Sequence, residues 1–176
     1  MTDLLKHCHS NQSVASFYFY DAAEKHHATG FVYAYNDTQL IIKHISPYGE
    51  SVGLILVRRA DICRIRVDGK YEQKIQKLYQ LHCPAYPAYE PCADYWISLL
   101  TYAKETHELV SVELEACIVS GEVLSCSEND VELELLDEYG NPNGRSCINR
   151  DIVQSVCLGS ADERLIQAMR KLQAGK

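Results

Sequence analysis

The side chains able to hold a metal or act as nucleophiles are plentiful in this sequence but poorly arranged. His7-Cys8-His9, His26-His27, and His82-Cys83 with Cys92 come closest to a ligand set. Neighbouring residues on a helix or strand point in different directions, so adjacency does not build coordination, and no metal site is expected. Eight cysteines (8, 63, 83, 92, 117, 126, 147, 157) contain no Cys-x-x-Cys pair. Five lie in or beside apolar, strand-like runs such as Ile62-Cys63 and Cys147-Ile148, which reads as buried, reduced thiols acting as small hydrophobes. There is no glycine-rich phosphate loop, no Gly-x-Ser-x-Gly and no His-Glu-x-x-His. Cys63, between Ile62 and Arg64, is the nearest thing to a nucleophile, but a reactive thiolate needs an electropositive, partly exposed setting. The expectation is no catalytic residue, no cofactor and no enzyme.

Charge narrows the partners. The 176 residues carry a net charge of −7. Residues 1–80 hold ten Lys/Arg against eight Asp/Glu, a balance of +2, and five of the seven histidines. Residues 81–176 hold seven against sixteen, a balance of −9. A polyanion-binding surface therefore belongs on the first half. No apolar run reaches the roughly 18 residues of a membrane helix, and Met1 to His7 lacks the apolar stretch of a secretory signal. The expected compartment is the cytoplasm, with no membrane partner.

These residues must be positioned by β structure, and that structure is duplicated. With an offset of 91 residues and no gap, 30–53 match 121–144: Gly30, Val32, Tyr48, Gly49 and Gly53 fall on Gly121, Val123, Tyr139, Gly140 and Gly144. Leu40, Ile42 and Ile45 meet Val131, Leu133 and Leu136; after one deletion, Asp61-Ile62 meets Asp151-Ile152. Period-two alternation, as in Val110, Val112 and Leu114 against Ser111, Glu113 and Glu115, marks half-buried strands. Strands are predicted at 14–20, 28–36, 39–46, 53–59 and 62–67, and again at 109–117, 119–127, 130–137, 144–149 and 152–157. Gly30 and Gly121 sit inside strands, where a missing side chain permits a sharp bend. Tyr-Gly-x-x-x-Gly reads as a hairpin loop using positive φ.

Helices are expected around 2–9 and 92–106, each ahead of a strand set. A further helix follows each set. One has Tyr71, Ile75, Leu78 and Tyr79 on one face with Lys74 and Lys77 turned away. The other has Leu165, Ile166, Met169 and Leu172 on one face. Asp21 to His27, with its two histidines, reads as a long first hairpin. Three prolines in 83–91 make a stiff linker. The predicted organisation is a first barrel with its following helix over 1–82, the linker over 83–91, and a second barrel with flanking helices over 92–176.

A helix, five bent strands, a strand-interior glycine and a glycine-containing fourth strand resemble the Sm/Lsm-like family. Val110-Ser111-Val112-Glu113-Leu114 through Gly121-Glu122-Val123-Leu124 resembles that family's first two strands. Gly53-Leu54-Ile55-Leu56-Val57-Arg58-Arg59-Ala60-Asp61-Ile62 resembles its second motif, with Arg59 where the family has Gly; the second copy has Asn149-Arg150 there. The resemblance implies a mainly β fold of two tandem five-stranded, strongly bent, SH3-like barrels with flanking helices.

Carried over residue by residue, it implies an RNA site where the second-to-third and fourth-to-fifth strand connections meet: Tyr35, Asn36 and Asp37 with Arg58 and Arg59. An aromatic platform, an amide and guanidiniums suit a single strand; as residues alone, Asn36-Asp37 is also a good turn. The matching surface of the second copy, Ser127, Glu128, Asn129 and Asp130 with Asn149 and Arg150, reads as structural. Leu54, Ile55, Leu56 and Val57 are apolar on both faces; with the resemblance this implies a contact edge, between the two copies or between chains of a homo-oligomer, the alternative being a fourth strand covered by the chain's own helix. Two functions stay open: single-stranded RNA binding through the first barrel, or a protein-interaction and assembly module without nucleic acid.

Overall fold

The computed structural model describes residues 1–20 and 27–174. The chain is mainly β, with ten antiparallel strands and four helices among the described residues, and divides into two compact units, 1–86 and 87–176. The first contains α1 (Thr2–Asn11), β1 (Val14–Phe19), β2 (His27–Tyr35), β3 (Gln39–Ile45), β4 (Ser51–Arg58), a 3-10 turn (Arg59–Asp61), β5 (Ile62–Val67) and α2 (Lys70–His82). The second repeats the order: α3 (Tyr95–Thr106), β6 (Leu109–Glu113), β7 (Ile118–Cys126), β8 (Asp130–Leu136), β9 (Pro142–Asn149), a 3-10 turn (Arg150–Ile152), β10 (Ser155–Leu158) and α4 (Ala161–Ala174).

Within the first unit the strands run β5-β1-β2-β3-β4, and within the second β10-β6-β7-β8-β9. Neither set closes by hydrogen bonds: among the described residues no ladder joins β4 to β5 or β9 to β10. The first strand of each unit ends sooner than its alternation suggested. In β6 the Leu114 N–H bonds the Cys117 carbonyl at 2.8 Å, so a turn cuts the run after Glu113. The expected hairpin from Asp21 lies outside the described residues up to His27, which opens β2.

The two strand-interior glycines stand at a close approach of neighbouring strands. A Cβ on Gly30 would lie 1.9 Å from the Lys43 carbonyl oxygen, and one on Gly121 would lie 2.3 Å from that of Glu134. The neighbouring strand crosses where a side chain would stand. The ladder slips just beyond, between Val32 and Ala34 and between Val123 and Ser125, the same place in both units. Both glycines of Tyr-Gly-x-x-x-Gly have positive φ in both copies: 86° and 88° at Gly49 and Gly53, 82° and 88° at Gly140 and Gly144. Gly49 also lies against Leu78 of α2, and Gly140 against Ile166 and Arg170 of α4.

Alternation gives β1 two buried faces. Ala15 and Phe17 are fully buried on one, while Val14 on the other joins Phe31, Ile45 and Ile75 beneath α2, with Tyr71 and Tyr79 packed alongside. The α2 face read from the sequence is the one it buries, with Lys74 and Lys77 exposed. For α4 the reading was off: Leu165 and Leu172 are exposed, and Ile166 and Met169 are half-buried. Residues 83–94 carry no helix or strand, but their tyrosines are anchored. Tyr86 donates to the His44 carbonyl at 2.9 Å, and the buried Tyr89 hydroxyl meets that of Ser98 at 2.5 Å.

Gly30→Ala or Gly121→Ala is expected to destabilise its unit by about 1–3 kcal/mol, the usual cost of forcing atoms into filled space. Urea unfolding of each variant checks this; an unchanged midpoint would show that the bend tolerates a methyl group.

Candidate functional site

The repeat extends well beyond its glycines. Ser16 pairs with Thr29 across β1 and β2, and Ser111 pairs with Ser120 across β6 and β7. The hydroxyls touch in both, at 3.1 and 2.8 Å, although the partners are 13 residues apart in the first unit and 9 in the second. From β2 onward the offset of 91 continues without a gap, so Arg59 corresponds to Arg150 and the deletion inferred near Asp61 is not needed.

That correspondence decides how the loop arginines are used. The Arg59 N–H bonds the Thr38 carbonyl at 2.8 Å, and the Arg150 N–H bonds that of Asn129 at 2.8 Å. The Arg59 guanidinium donates to the Asn36 carbonyl and to the Thr2 hydroxyl at 2.9 Å, reaching the start of α1. Arg150 donates to the Glu128 carbonyl at 3.0 Å and to Asp94 at 3.0 Å, and lies over the Trp96 ring at 5.5 Å. Asp94 caps α3 by accepting the Trp96 N–H. Each arginine is a strap from the end of the fourth strand, across the second-to-third strand turn, to the head of the preceding helix.

The structure thus brings Asn36 and Arg59 together. The Asn36 side-chain oxygen accepts the Thr38 and Gln39 N–H groups at 3.0 and 2.7 Å, so the amide builds the turn. Tyr35 is half-buried and edge-on to His9 at 5.7 Å, and Asp37 is exposed. Arg58 turns to Asp61 at 2.7 Å. In the second unit the Ser127 hydroxyl does the work of Asn36, accepting the Asn129 and Asp130 N–H groups. Leu54, Ile55, Leu56 and Val57 are all buried.

A second shared device is a buried carboxylate under the trailing helix. Glu72 is 1% exposed; it accepts the Ser16 hydroxyl and the Arg66 guanidinium, the latter at 2.9 Å. Burial pushes its pKa up, but those hydrogen bonds outweigh it and hold the carboxyl below its ordinary value. Glu163 is equally buried, 91 positions on, but Cys157 stands where Arg66 would be. Its carboxylate accepts the Ser160 N–H at 2.8 Å and the Ser160 hydroxyl accepts the Glu163 N–H at 3.3 Å, a reciprocal cap on α4. Without a cation, burial wins and the Glu163 pKa is raised. The Cys157 thiol, buried beside Glu163 and Glu113, is pushed up to about 12.

The sequence reading missed a surface on the first unit. Tyr18 is in register with His27 on one side and Arg64 on the other. Its ring stacks on His27 at 5.3 Å and lies under the Arg64 guanidinium at 4.8 Å. Tyr71, from α2, meets His27 edge-on at 6.3 Å and Arg66 at 6.0 Å. Basic residues at alternate positions, Arg64 and Arg66 on β5, were the available signal. On α2, Lys70, Lys74 and Lys77 are exposed at the spacing of one helix face.

All eight cysteines are free, but the expectation of burial fails for most: Cys63, Cys83, Cys92, Cys117 and Cys147 are exposed, and only Cys8 is fully buried. Cys63 and Cys147 both lie in strands: Cys147 takes the outward position beside the buried Ile148, whereas Cys63 and its neighbour Arg64 are both exposed although they point to opposite faces of β5. Among the described residues no group of three His, Cys, Asp or Glu could hold a metal, and no helix is long and apolar enough to cross a membrane.

No family model matches the chain, and no curated protein or solved structure does.

Two predictions follow from these devices. Arg59→Ala and Arg150→Ala should each cost their unit about 1–3 kcal/mol, since each removes charge-assisted hydrogen bonds; chemical denaturation reads the loss. The carboxylates should respond oppositely to acid. Stability from Glu72 is present above its ordinary value and lost as pH falls through the lowered one; that from Glu163 is present below its ordinary value and lost as pH rises through the raised one. Glu72→Gln should therefore destabilise at neutral pH, whereas Glu163→Gln, which keeps a cap, should stabilise at neutral pH with a gain that shrinks on acidification. Melting curves across pH measure both.

Proposed function

We propose that the chain is a non-enzymatic protein of two tandem Sm-like, bent five-stranded barrels, and that its first unit binds single-stranded RNA. One observation carries this reading. The outward face of α2 presents Lys70, Lys74 and Lys77, whereas the corresponding positions of α4 are Ala161, Leu165 and Ala168, all exposed. The same scaffold position is basic in one unit and apolar in the other. Lysines in a row release counterions when they meet a phosphate chain, and affinity then falls steeply with salt. The charge balance of the halves, +2 against −9, agrees. Asn36 and Arg59 are engaged in holding the turn and helix head, so the phosphate contacts of this reading rest on α2 rather than on the strand connections. The second unit suits assembly instead: Leu165 and Leu172 are 60% and 67% exposed on one face of α4, in the acidic half.

Fluorescence anisotropy of a labelled oligouridine with the full chain tests the reading. Binding should weaken as salt is raised, and replacing Lys70, Lys74 and Lys77 together by Ala should lower affinity about tenfold and flatten the salt slope. Absence of binding by the unaltered protein at low salt would leave the assembly module in its place.

A further inference from the structure

Resting on the reading of the first unit as RNA-binding, we propose that nucleobases stack on the outer surface of β5, β1 and β2, on a layer formed by Arg64, Tyr18 and His27 and continued by Tyr71 and Arg66. Strand register makes this layer. Because Tyr18 lies directly opposite both His27 and Arg64, the three side chains must emerge on one face of adjacent strands. They are already stacked: the Tyr18 and His27 rings are inclined by only 20°, and the guanidinium covers the phenol. Both ends of the stack, Arg64 and His27, are exposed. A base extends the layer at either end, over the guanidinium or the imidazole, surfaces on which unpaired bases stack without regard to sequence.

Arg66 is held for the same purpose. Glu72, buried beneath it, takes its Nε and Nη2 at 3.0 and 2.9 Å and fixes the guanidinium beside Tyr71. Among the described residues no carboxylate pairs with Arg64. Lys70 and Lys74 flank Tyr71 on the same helix, so phosphates leaving the aromatic layer meet cations.

The second unit supplies the internal comparison. The positions of Tyr18, His27 and Arg64 are occupied by Glu113, Ile118 and Ser155, set by the matching registers of β6 with β7 and β10. Those of Arg66 and Tyr71 are Cys157 and Asp162. Every aromatic and every cation of the layer is absent there, and Glu113 accepts the Ser155 hydroxyl at 2.6 Å instead. The scaffold underneath, with its hydroxyl pair and buried carboxylate, is shared by both units. The layer is thus an addition to one copy and not a requirement of the fold.

The test uses the full chain, a short oligouridine carrying one 2-aminopurine, and heparin as a polyanion without bases. Binding should quench the 2-aminopurine, the signature of stacking. Tyr18→Leu and Arg64→Gln should each weaken oligonucleotide binding about tenfold and abolish the quench; Tyr18→Leu, which removes no charge, should leave heparin binding unchanged, and Arg64→Gln should weaken it less than oligonucleotide binding. Arg64 is exposed, so its variant remains informative if Tyr18→Leu fails to fold. If the unaltered protein binds no RNA, both the functional reading and this inference fall. If it binds, but without quenching and with both variants at unaltered affinity, the stacking layer falls alone and the lysine face remains.

Discussion

Everything in each unit depends on one close approach. At Gly30 and Gly121 the adjoining strand's carbonyl passes where a β-carbon would be, and the ladder slips immediately afterwards. Just beyond that contact the β2–β3 and β7–β8 ladders shift register, and an arginine at the end of the fourth strand crosses the second-to-third strand turn to the leading helix. The strap, the glycine turns against the trailing helix and the buried carboxylate are all ways of fixing helices to the sheet.

The part of this design legible in the sequence was the part written in glycine. A residue chosen for lacking a side chain has few substitutes, so Gly30/Gly121 and Tyr-Gly-x-x-x-Gly kept their identity and spacing in both copies. Apart from β6, read four residues too long, and β10, begun three residues too early, strand positions were read to within two residues of their ends, because alternation has a period of two with one face wet. The polar devices were harder to see. Asn36 and Ser127 build the same turn from different atoms, and the Ser16 and Ser111 pairs lie at different sequence separations. Nothing local in the sequence says that Glu72 and Glu163 point inward. On α4 apolar residues occupy too much of the circumference to fix the buried face, whereas the lysines of α2 left only one choice. Cysteine misled because its apolar neighbours said nothing about which side of a strand it takes.

The two units show one scaffold under two surface chemistries. Interior solutions are shared: hydroxyl pair, carboxylate, strap, and a strand-interior glycine with the ladder slip beyond it. What changes is the outer layer, aromatic and cationic on the first unit, acidic and apolar on the second. Even the interior follows: Arg66 neutralises Glu72, and where Cys157 stands in its place burial raises the Glu163 pKa. A substitution on the outer face thereby alters the electrostatics of the core beneath it.

The unequal separation of the two hydroxyl pairs has its own implication. One copy has four more residues than the other between its paired hydroxyls, yet the register on either side is the same. The connection therefore carries no information that the sheet needs, and the entropic cost of lengthening such a segment grows only slowly. It is the natural place to graft a tag, a reporter or a foreign epitope into this chain while leaving its architecture undisturbed.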